Sequence, residues 1–139
     1  MRKSLILGAL ALAINLMLLS SAHARSTELR DPDRTEFGCT LSMDKATKAI
    51  KSGMRVRGWT SKKSKKPGQL VARVIVRGKH TLWVTINYDR KSFDIDYKDS
   101  DNLNYRVADD GTKYLHPNAI SWMENLKGDI RNAAFDMCP

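Results

Sequence analysis

The residue types in this chain that could do chemistry are two histidines, a serine and several aspartates. They are His80, His116 and Ser100, together with Asp96, Asp99 and Asp101. Such residues form a hydrolase when nucleophile, base and orienting acid are within hydrogen-bond reach and donors face the oxyanion. The chain has no Gly-x-Ser-x-Gly elbow to present the serine. We therefore assign no catalytic residue and retain His80, Ser100 and His116 as a possible polar site.

The aspartates suggest a second chemistry, cation binding. Asp94 and Asp96 alternate along a predicted strand and point to one side, with Asp99 and Asp101 just beyond. Their spacing lacks the Asp-x-Asp-x-Asp-Gly pattern and closing Glu of a calcium loop. The two cysteines and the distant histidines also lack a ligand spacing. We predict that the aspartates solubilise an exposed face, and that the protein needs no metal or cofactor.

Positive charge is concentrated in the middle of the chain. Residues 45–91 contain 14 Lys and Arg against one acid, whereas residues 92–139 contain 5 bases against 9 acids. A chain polarised in this way attracts anions to one region only. The candidate anion-binding residues are Lys48, Lys51 and Arg55 on a predicted helix and Lys62, Lys63, Lys65 and Lys66 in a lysine run. A run of this kind is usually a solvated flexible loop.

The first 24 residues have the pattern of a signal peptide. Arg2 and Lys3 precede an apolar run from Leu5 to Leu19, and Ala22-His23-Ala24 follows. A positive end, an apolar middle and a small-x-small exit predict cleavage near Ala24-Arg25 and a periplasmic or secreted protein. The apolar run is shorter than the ~20 residues that a membrane-spanning helix needs. We therefore expect no transmembrane segment in the mature chain.

The chain has two cysteines, Cys39 and Cys138. An even cysteine count in an exported chain predicts a disulfide, because oxidising compartments form and keep such bonds. Closing a loop of about 100 residues stabilises a fold by about 4.7 kcal/mol in the chain-entropy model, less any strain. We predict a structural Cys39–Cys138 bond.

The remaining sequence predicts one α+β domain over residues 42–139, preceded by a loose arm over residues 25–41. Helical periodicity over residues 42–57 predicts an amphipathic helix with Ser42 as its N-cap. Alternation predicts strands over residues 70–77, 80–88 and 92–98, with a type II′ turn at Gly78-Lys79. A second helix begins at Pro117 after a His116 cap. The expected architecture has two layers: an antiparallel sheet of three to four strands with both helices on one face.

Two of these elements predict which side chains enter the core. In the first helix the apolar side is formed by Met43, Ala46, Ala49, Ile50 and Met54. In the second strand the core face carries His80, Leu82, Val84, Ile86 and Tyr88, and Trp83 lies on the exposed face. Phe135 lies off the apolar stripe of the second helix.

Several uncommon residues recur in an order that indicates a family. They are Gly58-Trp59, Pro67-Gly68, His80, Phe93-x-Ile95-x-Tyr97-x-x-Ser100-x-Asn102-Leu103-x-Tyr105, Leu115-His116-Pro117-Asn118 and Trp122-x-x-Asn125-Leu126. Over residues 43–130 this pattern resembles a family of small, functionally uncharacterised envelope proteins of Gram-negative bacteria, some of them predicted lipoproteins. This chain has no cysteine placed for lipidation. The resemblance implies an envelope location and an α+β fold, with no activity attached.

These observations favour an exported, non-catalytic binding module whose basic face binds an anionic component of the envelope. That component could be a lipid head group, lipopolysaccharide or a wall polymer, whereas nucleic acid is scarce outside the cytoplasm. The alternative is a periplasmic inhibitor or immunity-like factor that binds an envelope protein through the exposed sheet face bearing Trp83. A third hypothesis is that the protein is a small hydrolase.

Overall fold

A computed structural model of the protein describes residues 25–139, and the predicted signal peptide over residues 1–24 lies outside them. In chain order the elements are β1 (Thr27–Glu28), β2 (Thr35–Glu36), α1 (Met43–Val56), β3 (Thr60–Lys63), β4 (Gln69–Val76), β5 (His80–Tyr88), β6 (Ser92–Asp101), β7 (Arg106–Val107), β8 (Lys113–Leu115) and α2 (Pro117–Phe135). This content is α+β, as predicted.

The first helix begins and ends where the sequence indicates. The Ser42 hydroxyl accepts a hydrogen bond from the Lys45 N–H at 3.2 Å, which satisfies one of the unpaired donors of the first turn. Gly58, at a φ of 77°, follows the helix and supplies the left-handed residue of its C-terminal stop. The predicted apolar side is buried except for Met43, which is 39% exposed. The prediction for Met43 was therefore wrong.

The main sheet has five strands in the order β2-β6-β5-β4-β3, with every neighbouring pair antiparallel. Its central strands are the three that the sequence predicts, while β2 and β3 are short edge strands. Edge strands of two to four residues leave no readable alternation, so three to four strands was an underestimate. Strand β3 also takes Lys62 and Lys63 out of the predicted lysine loop and into the sheet.

The hairpin between β4 and β5 corrects a second prediction. Its connection is Arg77, Gly78 and Lys79, with Val76 in register with His80. Arg77 and Gly78 both have positive φ, 53° and 68°. Two successive positive φ values belong to a type I′ turn, in contrast to the predicted type II′ turn with glycine first.

A second, three-stranded sheet of order β1-β8-β7 joins the N-terminal segment of the described chain to the strands that precede α2. It pairs Thr27 with Leu115 and Glu28 with Tyr114. The segment expected to be a loose arm is thus anchored at β1 and β2, and it places Phe37 and Leu41 in the core. Burial of these two side chains supplies the stabilisation that the short strands lack on their own.

One core joins both helices to a single face of the main sheet. Leu82, Val84 and Ile86 of β5 are fully buried, as predicted, in the same cluster as Ile50 of α1 and Met123 of α2. On α2, Phe135 is 77% exposed, as its place off the apolar stripe predicts.

The two helices approach closely at Gly53. A Cβ on that residue would lie 2.5 Å from the Ile130 Cα and amide nitrogen. The contact therefore excludes any side chain at position 53, because backbone atoms cannot move aside as a flexible side chain can.

Cys39 and Cys138 form a disulfide that joins positions 99 residues apart, as predicted. Within residues 25–139, no helix has the length and apolar character needed to cross a membrane.

Candidate functional site

Four of the candidate lysines meet at one groove between α1 and the loop that connects β3 to β4. The groove has a volume of about 650 Å³. We call it the basic groove; its side-chain lining includes Asp44, Thr47, Lys48, Lys51, Ser64, Lys65, Lys66, Gln69 and Tyr88. The sequence separates its two halves, and the fold brings them together.

The α1 side of the groove follows from helix geometry. Lys48 and Lys51 are three residues apart and therefore project from one face of α1. The opposite face of the same helix is buried at Ala49 and Ile50, which fixes its rotation against the sheet. Thr47 donates to the Met43 carbonyl at 2.9 Å, so the 2.7 Å contact between Thr47 and Tyr88 takes its proton from the Tyr88 hydroxyl. This bond ties α1 to β5.

The loop side of the groove is held by glycine and serine. Gly68, at a φ of 68°, accepts the Tyr88 N–H at 2.8 Å through its carbonyl. A Cβ there would lie 2.7 Å from the Tyr88 carbonyl oxygen, so only glycine fits without displacing the loop. Ser64 accepts the Lys66 N–H at 3.1 Å and donates to Gln69 Oε1 at 2.7 Å. Lys65 and Lys66 therefore extend from an ordered turn.

The charge balance of the basic groove is strongly positive. Its lining contains four lysines and one carboxylate, Asp44. The ion pairs found within residues 25–139 involve Arg30, Arg34, Arg57 and Lys127, each with an Asp or Glu at 4.0 Å or less. None of the groove lysines takes part in these pairs. Their charges are therefore available to an external anion.

The other candidate cations lie elsewhere. Arg55 is exposed on α1 outside the groove lining. Lys62 lies beside Arg73 and Trp83 at a shallow depression of about 440 Å³, and Lys63 is in register with Leu70 on β3. The predicted basic face is thus divided between two surfaces. Sequence reasoning missed Thr47 and Ser64, which are next to lysines in the chain, and Tyr88, which is not.

The exposed face of the main sheet carries a row of hydrogen bonds that crosses several strands. Gln69 Nε2 donates to Asn87 Oδ1 at 2.8 Å, and Asn87 Nδ2 donates to Asp94 at 2.8 Å and to Asp96 at 3.0 Å. Arg34 completes the row with a charge-assisted bond to Asp94. We call these five residues the polar ladder. It starts at Gln69, the first residue of β4, and ends at Arg34, which directly precedes β2.

The carboxylates on this side of the molecule differ in their surroundings. The backbone N–H groups of Lys91 and Ser92 hold the pKa of Asp89 below its ordinary value, with a further contribution from the Arg34 guanidinium. Partial burial raises the pKa of Asp96, and the negative charges of Asp94 and Asp31 raise it further.

The predicted polar site is only partly assembled. His80 and His116 line the same cleft, of about 280 Å³. Ser100 is not part of its lining, and its hydroxyl is hydrogen-bonded to the Tyr97 phenol at 2.8 Å. Partial burial raises the pKa of Tyr97, so the phenol stays protonated at neutral pH and cannot take the Ser100 proton. The hydrolase reading therefore lacks a nucleophile with an adjacent base.

No group of three or more His, Cys, Asp or Glu side chains within residues 25–139 could hold a metal ion. Comparison of the chain with protein-family models, with curated proteins and with solved structures finds no match. The resemblance to Gram-negative envelope proteins accordingly stays a prediction.

Proposed function

We propose that this protein is an exported binding module, and that the basic groove binds phosphate groups of an anionic envelope component. The single observation that carries the proposal is the convergence on one groove of four lysines, none of which takes part in the ion pairs found within residues 25–139. The disulfide across the domain supports work in an oxidising compartment.

The chemistry of the groove suits phosphate. Lysine ammonium groups act as strong point charges on phosphate oxygens. The Gln69 amide, which donates one N–H to Asn87, has a second N–H that can orient a ligand. Each lysine near an anionic surface contributes about 1 kcal/mol, so four contribute about 4 kcal/mol at low ionic strength. That corresponds to several hundredfold in affinity.

Vesicle binding tests this proposal. The oxidised protein is mixed with neutral phosphatidylcholine vesicles, with vesicles that contain phosphatidylglycerol, and with lipopolysaccharide or a phosphate-rich wall polymer. We expect binding to the anionic arms only, with an affinity that falls steeply as salt increases. The combined Lys48→Gln, Lys51→Gln, Lys65→Gln and Lys66→Gln variant should lose about a hundredfold or more. The arm that binds most tightly identifies the source of the phosphate.

A matched control is essential because the whole chain is basic. The combined Lys79→Gln, Lys91→Gln, Lys98→Gln and Lys113→Gln variant removes the same charge from exposed positions outside the groove. This variant should keep most of its binding. An equal loss in both variants would mean that net charge, and not the groove, attracts the ligand.

Export has its own test. Mass spectrometry of the protein purified from cell fractions without reductant should give a chain that begins near Arg25, with the Cys39–Cys138 bond intact. Full-length chains with free thiols in the cytosol would contradict the compartment that the proposal needs.

A second candidate function rests on the exposed face of the sheet. Trp83 is half-buried and lies with Arg73 and Lys62 around the shallow depression on β3 to β5. Tryptophan and arginine are the residues that most often dominate protein interfaces. The parent chain and a Trp83→Ala variant are each used to capture proteins from an envelope extract. A protein that binds the parent chain but not the variant, with vesicle binding unchanged, would favour the inhibitor or immunity-like role.

A further inference from the structure

The cleft that holds both histidines is separate from the basic groove. It is lined by Val76, Arg77, His80, Leu103, His116, Asn118 and Trp122, and it shares no lining residue with the groove. None of these described lining residues is acidic. The cleft combines an apolar wall, a cation and two imidazoles, which are the components of a small-molecule site.

Hydrogen bonding determines which nitrogen of His80 carries the proton in the neutral ring. Its Nδ1 lies 2.9 Å from the Asn102 carbonyl oxygen. A carbonyl can only accept, so Nδ1 carries the proton and donates it. In the neutral ring Nε2 then has a lone pair and acts as an acceptor.

His116 has the opposite arrangement. As the N-cap of α2, its Nδ1 accepts the Asn118 N–H at 3.1 Å. An accepting Nδ1 carries no proton, so the proton of the neutral ring is on Nε2, which becomes a donor. The two imidazoles of the cleft therefore have complementary roles, one accepting and the other donating.

Arg77 brings the cation to the cleft at a conformational cost. Its φ of 53° lies in the left-handed region, where residues with a bulky side chain are uncommon. Glycine or asparagine would occupy this turn position with less strain. The turn itself does not require an arginine. A guanidinium at this position, however, can pair with an anion bound in the cleft.

From this geometry we infer a second ligand site, which takes a monosaccharide carrying one anionic group, a phosphate or a carboxylate. Arg77 pairs with the anionic group, His80 accepts from a sugar hydroxyl, and His116 donates to a ring or hydroxyl oxygen. Trp122 and Val76, both half-buried in the cleft wall, provide the apolar surface for the C–H face of the sugar. A phosphosugar and a uronic acid share this chemistry.

Nuclear magnetic resonance titration of the oxidised full chain tests the site. The probes are glucose 6-phosphate, glucuronate and neutral glucose, each added to about 10 mM, which reaches the weak limit of specific binding. The charged sugars should shift the Trp122 indole N–H signal, and glucose should bind at least tenfold more weakly. The charged sugar that binds more tightly distinguishes a phosphate source from a carboxylate source. No shift with either charged sugar would overturn the inference.

Asparagine substitutions separate binding from folding at the histidines. His80→Asn retains a donor to the Asn102 carbonyl, and His116→Asn retains a good N-cap, but both remove Nε2. Arg77→Asn removes the cation at a position where asparagine tolerates positive φ. Each variant should keep the melting temperature of the parent chain and lose about tenfold in sugar affinity, one good hydrogen bond or charge contact.

Two controls complete the test. Arg131→Asn removes an exposed arginine outside the cleft and should leave sugar binding unchanged. The four groove substitutions to glutamine should also leave it unchanged, so failure of the groove proposal and failure of this one are distinguishable. Sugar shifts that persist in all three cleft variants would refute the assigned site.

Discussion

At the basic groove, Lys48, Lys51, Lys65 and Lys66 take part in none of the ion pairs found within residues 25–139. Along β6 the situation is reversed. Asp94 receives hydrogen bonds from Arg34 and Asn87, and the loop before it holds Asp89 through two backbone N–H groups. Both regions are densely charged, yet only the second uses its charges inside the fold. The number of charged residues in a stretch of sequence therefore does not distinguish a structural surface from a binding surface. What distinguishes them is whether each charge has a partner of opposite charge within the fold.

The largest expected effect tests whether both regions depend on one core. Reduction of the Cys39–Cys138 bond releases a loop that spans most of the domain and should cost up to about 4.7 kcal/mol in unfolding free energy. Urea denaturation with and without reductant measures the loss. Signals from Trp122 and from the polar ladder should lose their native character at the same urea concentration. Separate transitions for the two regions would show that they fold independently.

Removal of Arg34 should affect stability next most strongly. Its guanidinium donates to Ser92 at 2.9 Å, to Asp89 at 3.1 Å and to Asp94. Arg34→Met keeps the stem of the side chain but leaves the carboxylates without their cation. Since the site is half exposed, we expect a loss of about 1 kcal/mol in urea unfolding, smaller at high salt. A loss that is independent of salt would mean that packing, not charge, explains the effect.

The raised pKa of Asp96 predicts a smaller effect of opposite sign. The folded state binds the Asp96 proton more tightly than the unfolded state, so stability falls as pH rises from the ordinary 3.8 through the raised pKa. Asp96→Asn removes that penalty while its amide oxygen can still accept from Asn87. The variant should gain a few tenths of a kcal/mol at pH 7, because the site is well solvated. The gain should disappear in acid, where Asp96 is protonated in both states.

Asp89→Asn is the matched control for this pH dependence. The pKa of Asp89 is lowered, so its carboxylate contributes stability above the ordinary carboxyl pKa, and this is lost as pH falls through the lowered value. The variant should therefore be less stable than the parent chain at neutral pH, and the difference should narrow in acid. If both variants changed the unfolding free energy in the same direction at neutral pH, the surroundings described for Asp96 and Asp89 would be contradicted.

The smallest expected effect concerns the groove itself. If its lysines have no structural role, their combined replacement by glutamine should change the unfolding free energy by less than about 0.5 kcal/mol. The same variant should lose anion binding. Urea unfolding and vesicle binding of one preparation measure both quantities. A large loss of stability would show that the groove lysines stabilise the fold, as the residues of the polar ladder do.

Local signals were enough to predict several features correctly. The Ser42 and His116 caps, the alternation of Leu82, Val84 and Ile86, and the pairing of the two cysteines each depend on neighbouring residues or on residue type. Capping and alternation follow from hydrogen bonding and geometry within a few residues, which any tertiary context preserves.

The short strands could not be predicted in the same way. Strands β1, β2 and β7 contain two residues each and exist because a partner strand lies beside them. A pair of residues has no periodicity to detect, and no isolated two-residue strand is stable.

By itself, the sequence determined the α+β class, the helix starts, the disulfide and the concentration of positive charge between residues 45 and 91. Only the tertiary structure decided that Lys48 and Lys51 meet Lys65 and Lys66 while Lys62 lies with Trp83. It likewise decided that His80 shares a cleft with His116 and not with Ser100. The physical reason is that capping and alternation depend on neighbouring residue types, and that two cysteines allow only one pairing within the chain. The meeting of side chains from distant segments, in contrast, depends on how helices and strands that are far apart in the chain pack around one core.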